Sequence, residues 1–140
     1  MPEGFPDSYD VTVRFAETDA QGIAHHGSFV VWLEVARIHH LAEYAGGYKA
    51  IQQKGIEALT TAVHLNYHRA AGFDDRLTIH LRCVDIKGAR FRYEYVIERD
   101  GVLIADGYTT HATVDRATHA PTRVPPWLVE MLSAAERASS

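Results

Sequence analysis

Glu17-Thr18-Asp19-Ala20-Gln21-Gly22-Ile23-Ala24-His25-His26 separates two segments of different periodicity. A β-type run, Val11-Thr12-Val13-Arg14-Phe15, precedes it, and an apolar helical pattern from about Ser28 to Ala45 follows at once. The loop therefore holds one carboxylate, Asp19, close to the first turn of a helix. That turn carries unpaired backbone N–H groups and a partial positive charge. A carboxylate beside free amide donors suits carbonyl chemistry: one attacks or activates water, the other receives the oxyanion. Taken alone, an aspartate here is equally a turn residue that satisfies backbone donors.

Of the 18 positions Ser28–Ala45, only Ser28, Glu34, Arg37, His39, His40 and Glu43 are polar, so the helix is expected to be covered on most sides. At about 1.5 Å per residue it is some 27 Å long. The first strand is predicted over Tyr9–Phe15. Gly46-Gly47 supply C-cap chemistry, and Tyr48–Lys54 reads as a short helical turn closed by Gly55. From Glu57 to Val114 the pattern is that of strands. Leu59, Thr61, Val63, Leu65 and Tyr67 alternate with Thr60, Ala62, His64, Asn66 and His68, which assigns them to opposite faces. Leu77–Ile86 alternates similarly, and Lys87-Gly88-Ala89 reads as a turn. Phe91, Tyr93, Tyr95 and Ile97 mark the next inner face, and Asp100-Gly101 is a strong hairpin signal before a last strand, Val102–Val114. Pro125-Pro126 opens a C-terminal helix, to about residue 138, with Leu128, Met131, Leu132 and Ala135 at helical spacing. The expectation is an α+β fold in which one central helix is wrapped by a strongly bent antiparallel sheet of about five strands, residues 1–140 forming one domain. The second face and open edges of such a sheet are expected to pair with another copy, giving a homodimer or a dimer of dimers.

The bulk numbers exclude several classes. A net charge of -4 over 140 residues gives no global pull toward nucleic acid or acidic membranes. A single cysteine, Cys83, in a strand-like run rules out a disulfide framework and a thiolate metal cluster. The start, Met-Pro-Glu-Gly-Phe-Pro-Asp, lacks the apolar region of a signal peptide, and no apolar run reaches the roughly 18 residues of a membrane span, so the cytoplasm is the expected location.

Strand, acidic loop, buried helix and four long strands in succession resemble the hotdog fold. The loop Glu17-Thr18-Asp19-Ala20-Gln21-Gly22, with Asp19 seven residues before His26, looks like that of acyl-CoA thioesterases of the 4-hydroxybenzoyl-CoA thioesterase family. Trp32-Leu33-Glu34-Val35-Ala36-Arg37 and Tyr67…Phe73-Asp74-Asp75 resemble the same family, and the likeness spans roughly residues 9 to 127. The resemblance implies an acyl-CoA thioester hydrolase that uses no cofactor and no metal. Asp19 matches the catalytic aspartate, and Gly22 belongs to its substrate-contacting loop. His26 matches the position whose backbone amide faces the thioester carbonyl, and its side chain matches a histidine of the aliphatic subgroup. Glu34 matches a helix position near the acyl end in the aromatic subgroup, and Lys87 a hairpin position that meets CoA phosphate in some members. Lys87, Arg90 and Arg92 together form the basic cluster expected at the mouth of a site for a polyanionic substrate. Three departures concern acyl specificity: Phe15 where the aliphatic subgroup often has Tyr, Ala24-His25 in place of an aromatic pair, and Arg69-Ala70 where Pro-Ala is common.

A thioester leaves as a fairly acidic thiol, model Cys having a pKa of about 8.5, so the site needs a nucleophile or base, an oxyanion site and water rather than a strong acid. Direct attack by Asp19, through a mixed anhydride, and deprotonation of water both remain open. Glu34 and Arg37, three apart on the helix, are also positioned to pair with each other. The nine histidines do not suggest a metal: His25-His26 and His39-His40 are adjacent pairs that point apart, and His64 and His68 lie about 13 Å apart by strand rise. A hotdog hydratase would show Asp-x-Asn-Pro-x-His, which Asp19-Ala20-Gln21-Gly22 does not match, and an acyl-binding module would not need the carboxylate.

Overall fold

The computed structural model describes residues 4–44 and 46–137. Ala45 and Ala138, the predicted ends of two helices, lie outside these residues, as do the side chain of Ala135 and the first three residues of the acidic start. The elements run β1 (Asp7–Thr12), a 3-10 turn (Phe15–Glu17), α1 (His26–Tyr44), α2 (Tyr48–Gln53), β2 (Ile56–Tyr67), β3 (Arg76–Lys87), β4 (Arg90–Arg99), β5 (Val102–Asp115) and α3 (Pro126–Arg137). The strands form one antiparallel sheet in the order β1-β3-β4-β5-β2. Helix α1 packs against this sheet in the hotdog arrangement, and α3 packs on β3 and α1. None of the described helices is long and apolar enough to cross a membrane.

The core follows the two periodicities. Phe91, Tyr93, Tyr95 and Ile97 of β4, and Leu77, Ile79, Leu81 and Cys83 of β3, are buried at every second position. Phe29, Trp32, Leu33, Ala36 and His40 of α1 meet them at helical spacing. The Asp100-Gly101 hairpin closes with both residues at positive φ, 51° and 78°, the geometry that matches strand twist.

Four expectations are corrected. First, the run ending in Phe15 stops being strand at Thr12. Phe15 begins the 3-10 turn and stands 77% exposed, edge-on to Phe73 at 5.8 Å. Second, the alternation in β2 is broken. Thr60 pairs with His111 but Ala62 pairs with Thr110, so Thr61 is an extra residue in the ladder. A bulge of one residue exchanges the faces beyond it. Ala58 and Thr60 share the inner face with Val63, Leu65 and Tyr67, while Leu59 points outward. Third, α1 is covered on one side only: Val31 remains 52% exposed and Ile38 47%. Fourth, Met131 is 40% exposed: Leu128 and Leu132 are the buried residues of α3, with Trp127 and Val129 packed against the core beside them.

Candidate functional site

The segment between β1 and α1 is held from both sides. Val13 N–H donates to Asp75 O (2.9 Å), and Ala24 N–H to Ala71 O (2.7 Å), tying the loop to the β2–β3 connection. Within the loop, Asp19 N–H donates to Ile23 O (2.9 Å) and Gly22 N–H to Asp19 O (3.0 Å). Gly22 has φ +79°, which a side chain would strain, so the turn needs glycine there. The Asp19 carboxylate accepts one hydrogen bond, from Gln21 N–H (2.8 Å). It is otherwise exposed and lines a groove of about 420 Å³ with Glu17, His25, Gly27, Ser28 and Val31. The carboxylate and the helix N-terminus thus face one groove.

His25 and His26 divide the first turn of α1. The His25 ring accepts from Gly27 N–H through Nδ1 (2.9 Å), and the His25 carbonyl accepts from Ser28 N–H (2.9 Å). His25 is therefore the cap of the helix, which explains why α1 begins two residues before the predicted Ser28. The His26 amide makes no hydrogen bond among the described residues. The His26 ring stacks on Tyr67 with centroids 4.5 Å apart, and Tyr67 Oη donates to the His26 carbonyl (3.2 Å). That ring faces a neighbouring groove of about 240 Å³ with Phe29, Tyr67, His68 and Arg69, rather than the groove that Asp19 lines.

Glu17 was not singled out by the sequence. Its Oε1 accepts from Arg14 N–H (2.8 Å) and its Oε2 from the Trp32 indole (2.7 Å). Its main-chain oxygen accepts from His25 N–H (2.8 Å) and from Ser28 Oγ–H (3.0 Å). Burial pushes the Glu17 carboxyl upward, but the donors on Arg14 and Trp32 outweigh it and hold the group below its ordinary value. The only sequence signal was the neighbourhood: a glutamate two residues before Asp19 and a tryptophan in the second turn of the helix.

Glu34 lies two turns further along α1, about 12 Å from His26 by helical rise. It lines a separate cavity of about 290 Å³ with Arg37, Thr60, Tyr93 and His111. The expected Glu34–Arg37 pair is not formed; Arg37 Nη1 donates to Tyr95 Oη instead (3.1 Å). From there a buried chain runs through Thr109 to His111 Nε2 (2.6 and 2.7 Å). His111, and His40 against Tyr93 Oη (2.9 Å), are both held neutral. Burial lowers each to about 4, reinforced at His111 by Arg37, and at His40 outweighing the opposing pull of the Glu43 charge. The unfolded chain takes up these protons near pH 6.5, so the folded state loses stability as pH falls from about 6.5 toward 4 and is indifferent above. Between roughly pH 7.5 and pH 5 the expected loss is about 2 kcal/mol per histidine. Urea unfolding at those two pH values checks this; His111→Asn should remove one share, and equal stability at both would show the histidines charged or exposed in the fold.

Within one chain Lys87 and Arg90 lie far from the Asp19 loop. They flank the β3–β4 turn, while the Asp19 loop adjoins Arg76 at the other end of β3, about 36 Å away by strand rise. A strand carries its two ends apart, and nothing in the spacing along the chain reports which end adjoins the loop. Arg92 leaves the cluster altogether: it pairs with Glu94 (3.2 Å) and lies over the Tyr108 ring at 4.0 Å. Among the described residues the one grouping of metal-ligand type is Asp7, His39 and Glu43, with donor atoms within 4.8 Å of one another, at the opposite end of β1 from the Asp19 loop.

Comparison with known proteins bears on this geometry. The family model described as the thioesterase-like superfamily matches residues 13–132. The chain is 24% identical over 126 residues to the acyl-CoA thioesterase YbgC of Haemophilus influenzae, covering 89% of this chain and 91% of that one. A hypothetical protein of Aquifex aeolicus superimposes with a TM-score of 0.86 at 27% identity, over 91% of this chain and 99% of the other. A thioesterase of Thermus thermophilus, solved with coenzyme A and Zn, has the same fold, with a TM-score of 0.84 at 22% identity over 97% and 98% of the two chains.

Proposed function

Because the chain belongs to the thioesterase-like superfamily, we propose that it hydrolyses an acyl-CoA thioester to a carboxylate and the CoA thiol. The observation that carries this reading is the single groove shared by the Asp19 carboxylate and the N-terminus of α1. Asp19 supplies the nucleophile or the base, and its second oxygen is free for either task. The His26 amide is the donor left over once His25 has capped its neighbours, and it receives the developing oxyanion. A donor of this kind is worth roughly 3 kcal/mol in the transition state. The carbonyl of that same peptide, His25 O, accepts from Ser28 N–H, and the Tyr67 hydroxyl bonds the next carbonyl, His26 O, so both sides of the residue are held. Gly22 closes the turn that carries Asp19, and the cavity beside Glu34 takes the far end of the acyl group.

A second copy completes the arrangement. Strand β2 is an edge strand, and Leu59, Val63 and Tyr67 on it are exposed, as are Val30 and Ile38 on α1. Such an edge pairs with its own twin. Antiparallel pairing of two β2 strands brings the Ile56 end of one to the Tyr67 end of the other. The β3–β4 turn lies at the Ile56 end, since Ala89 O accepts from Thr113 N–H. Lys87 and Arg90 of one copy therefore approach the Asp19 groove of the other, where CoA phosphates need cations.

Release of free thiol from benzoyl-, phenylacetyl-, butyryl- and palmitoyl-CoA tests the reading and ranks the acyl groups. Turnover of at least one, with kcat/KM at or above about 10⁴ M⁻¹s⁻¹, is the expected result. No release from any of them would overturn it.

A further inference from the structure

We infer that Glu17 is a positioning residue, tying the Asp19 loop to α1 through the Trp32 indole so that the carboxylate and the His26 amide meet one substrate carbonyl. The inference rests on the assignment of Asp19 above. The Glu17 side chain is only 10% exposed although it is charged. Both its oxygens are engaged, on Arg14 and on Trp32, so it is not available as a base, in contrast to Asp19. Its carbonyl holds His25 N–H and Ser28 Oγ–H. One residue on the near side of the loop is thus bonded to residues 25, 28 and 32 on the far side. These bonds close the loop that carries Asp19 at its base, while Ala24 N–H, on Ala71 O, anchors it on the other side.

The indole bond is the strongest of the set that a side-chain substitution can remove. It joins a neutral donor to an ionised acceptor in a part-buried position, and such bonds are short and roughly twice as strong as neutral ones. Trp32 is otherwise packed edge-on against Phe29 at 4.9 Å, so Trp32→Phe keeps an aromatic ring there and deletes the donor. A displacement of about 1 Å between reacting groups can cost on the order of a hundredfold in rate.

The test compares Glu17→Gln, Trp32→Phe and the double variant on whichever of the four acyl-CoA substrates the parent turns over fastest. Each single change should lower kcat about tenfold with KM within about twofold, and the double variant should be no worse than the weaker single one. Val124→Ala, a buried change near the β3–β4 turn, controls for stability: it should lower Tm and leave kcat unchanged. NMR gives a direct readout, since the chain has two indoles, Trp32 and Trp127, and the Trp32 N–H resonance should move upfield in Glu17→Gln. Additive effects in the double variant, a kcat that follows Tm as in Val124→Ala, or an unmoved indole resonance would overturn the inference. If Asp19→Asn is inactive while both single variants keep parental kcat, the tie fails alone. If Asp19→Asn keeps full activity, the assignment beneath it fails as well.

Discussion

Asp19→Asn is expected to lower kcat/KM for thioester cleavage by between about a hundredfold and ten-thousandfold, the span that a positioned base or nucleophile contributes. The substitution is a clean one. The Asp19 carboxylate already serves its own turn by accepting from Gln21 N–H (2.8 Å), and the amide oxygen of asparagine can accept the same bond. The change therefore removes a charge and a nucleophile without removing a turn contact. Asp19→Ala would confuse the two, because it deletes both. Thiol release from the preferred acyl-CoA measures the loss. Sedimentation should give the mass of two chains, or a multiple of two, for parent and variant alike. Activity within about threefold of the parent would move the chemistry off Asp19, and a single-chain mass would remove the second copy from the site.

Gly107→Ala is expected to destabilise the fold by at least about 3 kcal/mol, the upper range for overpacking. Gly107 sits in β5 between Tyr95 of β4 and Leu65 of β2. A Cβ there would overlap the carbonyl oxygen of His64 and come within 3.0 Å of the Leu65 Cα. Both obstacles are backbone, so no side-chain rotamer relieves them, and β2 must move away from β5. Two residues along β2 is Tyr67, which bonds the His26 carbonyl and stacks on its ring, so the damage reaches the residue that carries the proposed oxyanion donor. Gly88→Ala is the comparison: its added Cβ meets nothing within 4 Å, leaving only the cost of its positive φ, about 1 kcal/mol. Thermal unfolding of the two variants should differ by several degrees, with Gly107→Ala the lower. A Tm for Gly107→Ala within about two degrees of the parent would show that β2 and β5 are not packed this closely.

The elements of the fold are legible because each is written in local chemistry. Period-two alternation at Phe91, Tyr93, Tyr95 and Ile97 announces an inner face, and Asp100-Gly101 a turn, without reference to anything distant. The same holds for Asp19 in a loop leading into an apolar helix. The bulge at Thr61 is not legible. No glycine or proline marks it, and only the register of β2 against β5 reveals it. His25 reads as one of a pair of histidines, and only the path of the chain into α1 makes it the cap.

Residues 9–45 thus specify by themselves a strand, an acidic loop and a long apolar helix, since propensity and periodicity act over a few residues. What surrounds the carboxylate was decided by tertiary structure: the bond from Trp32 back to Glu17, the stacking of His26 on Tyr67, the separate cavity at Glu34, and the removal of Lys87 and Arg90 to the far end of the sheet. Those contacts depend on strand order and register. Both are settled by which faces bury the most apolar surface together, a quantity that belongs to the whole chain and to no segment of it.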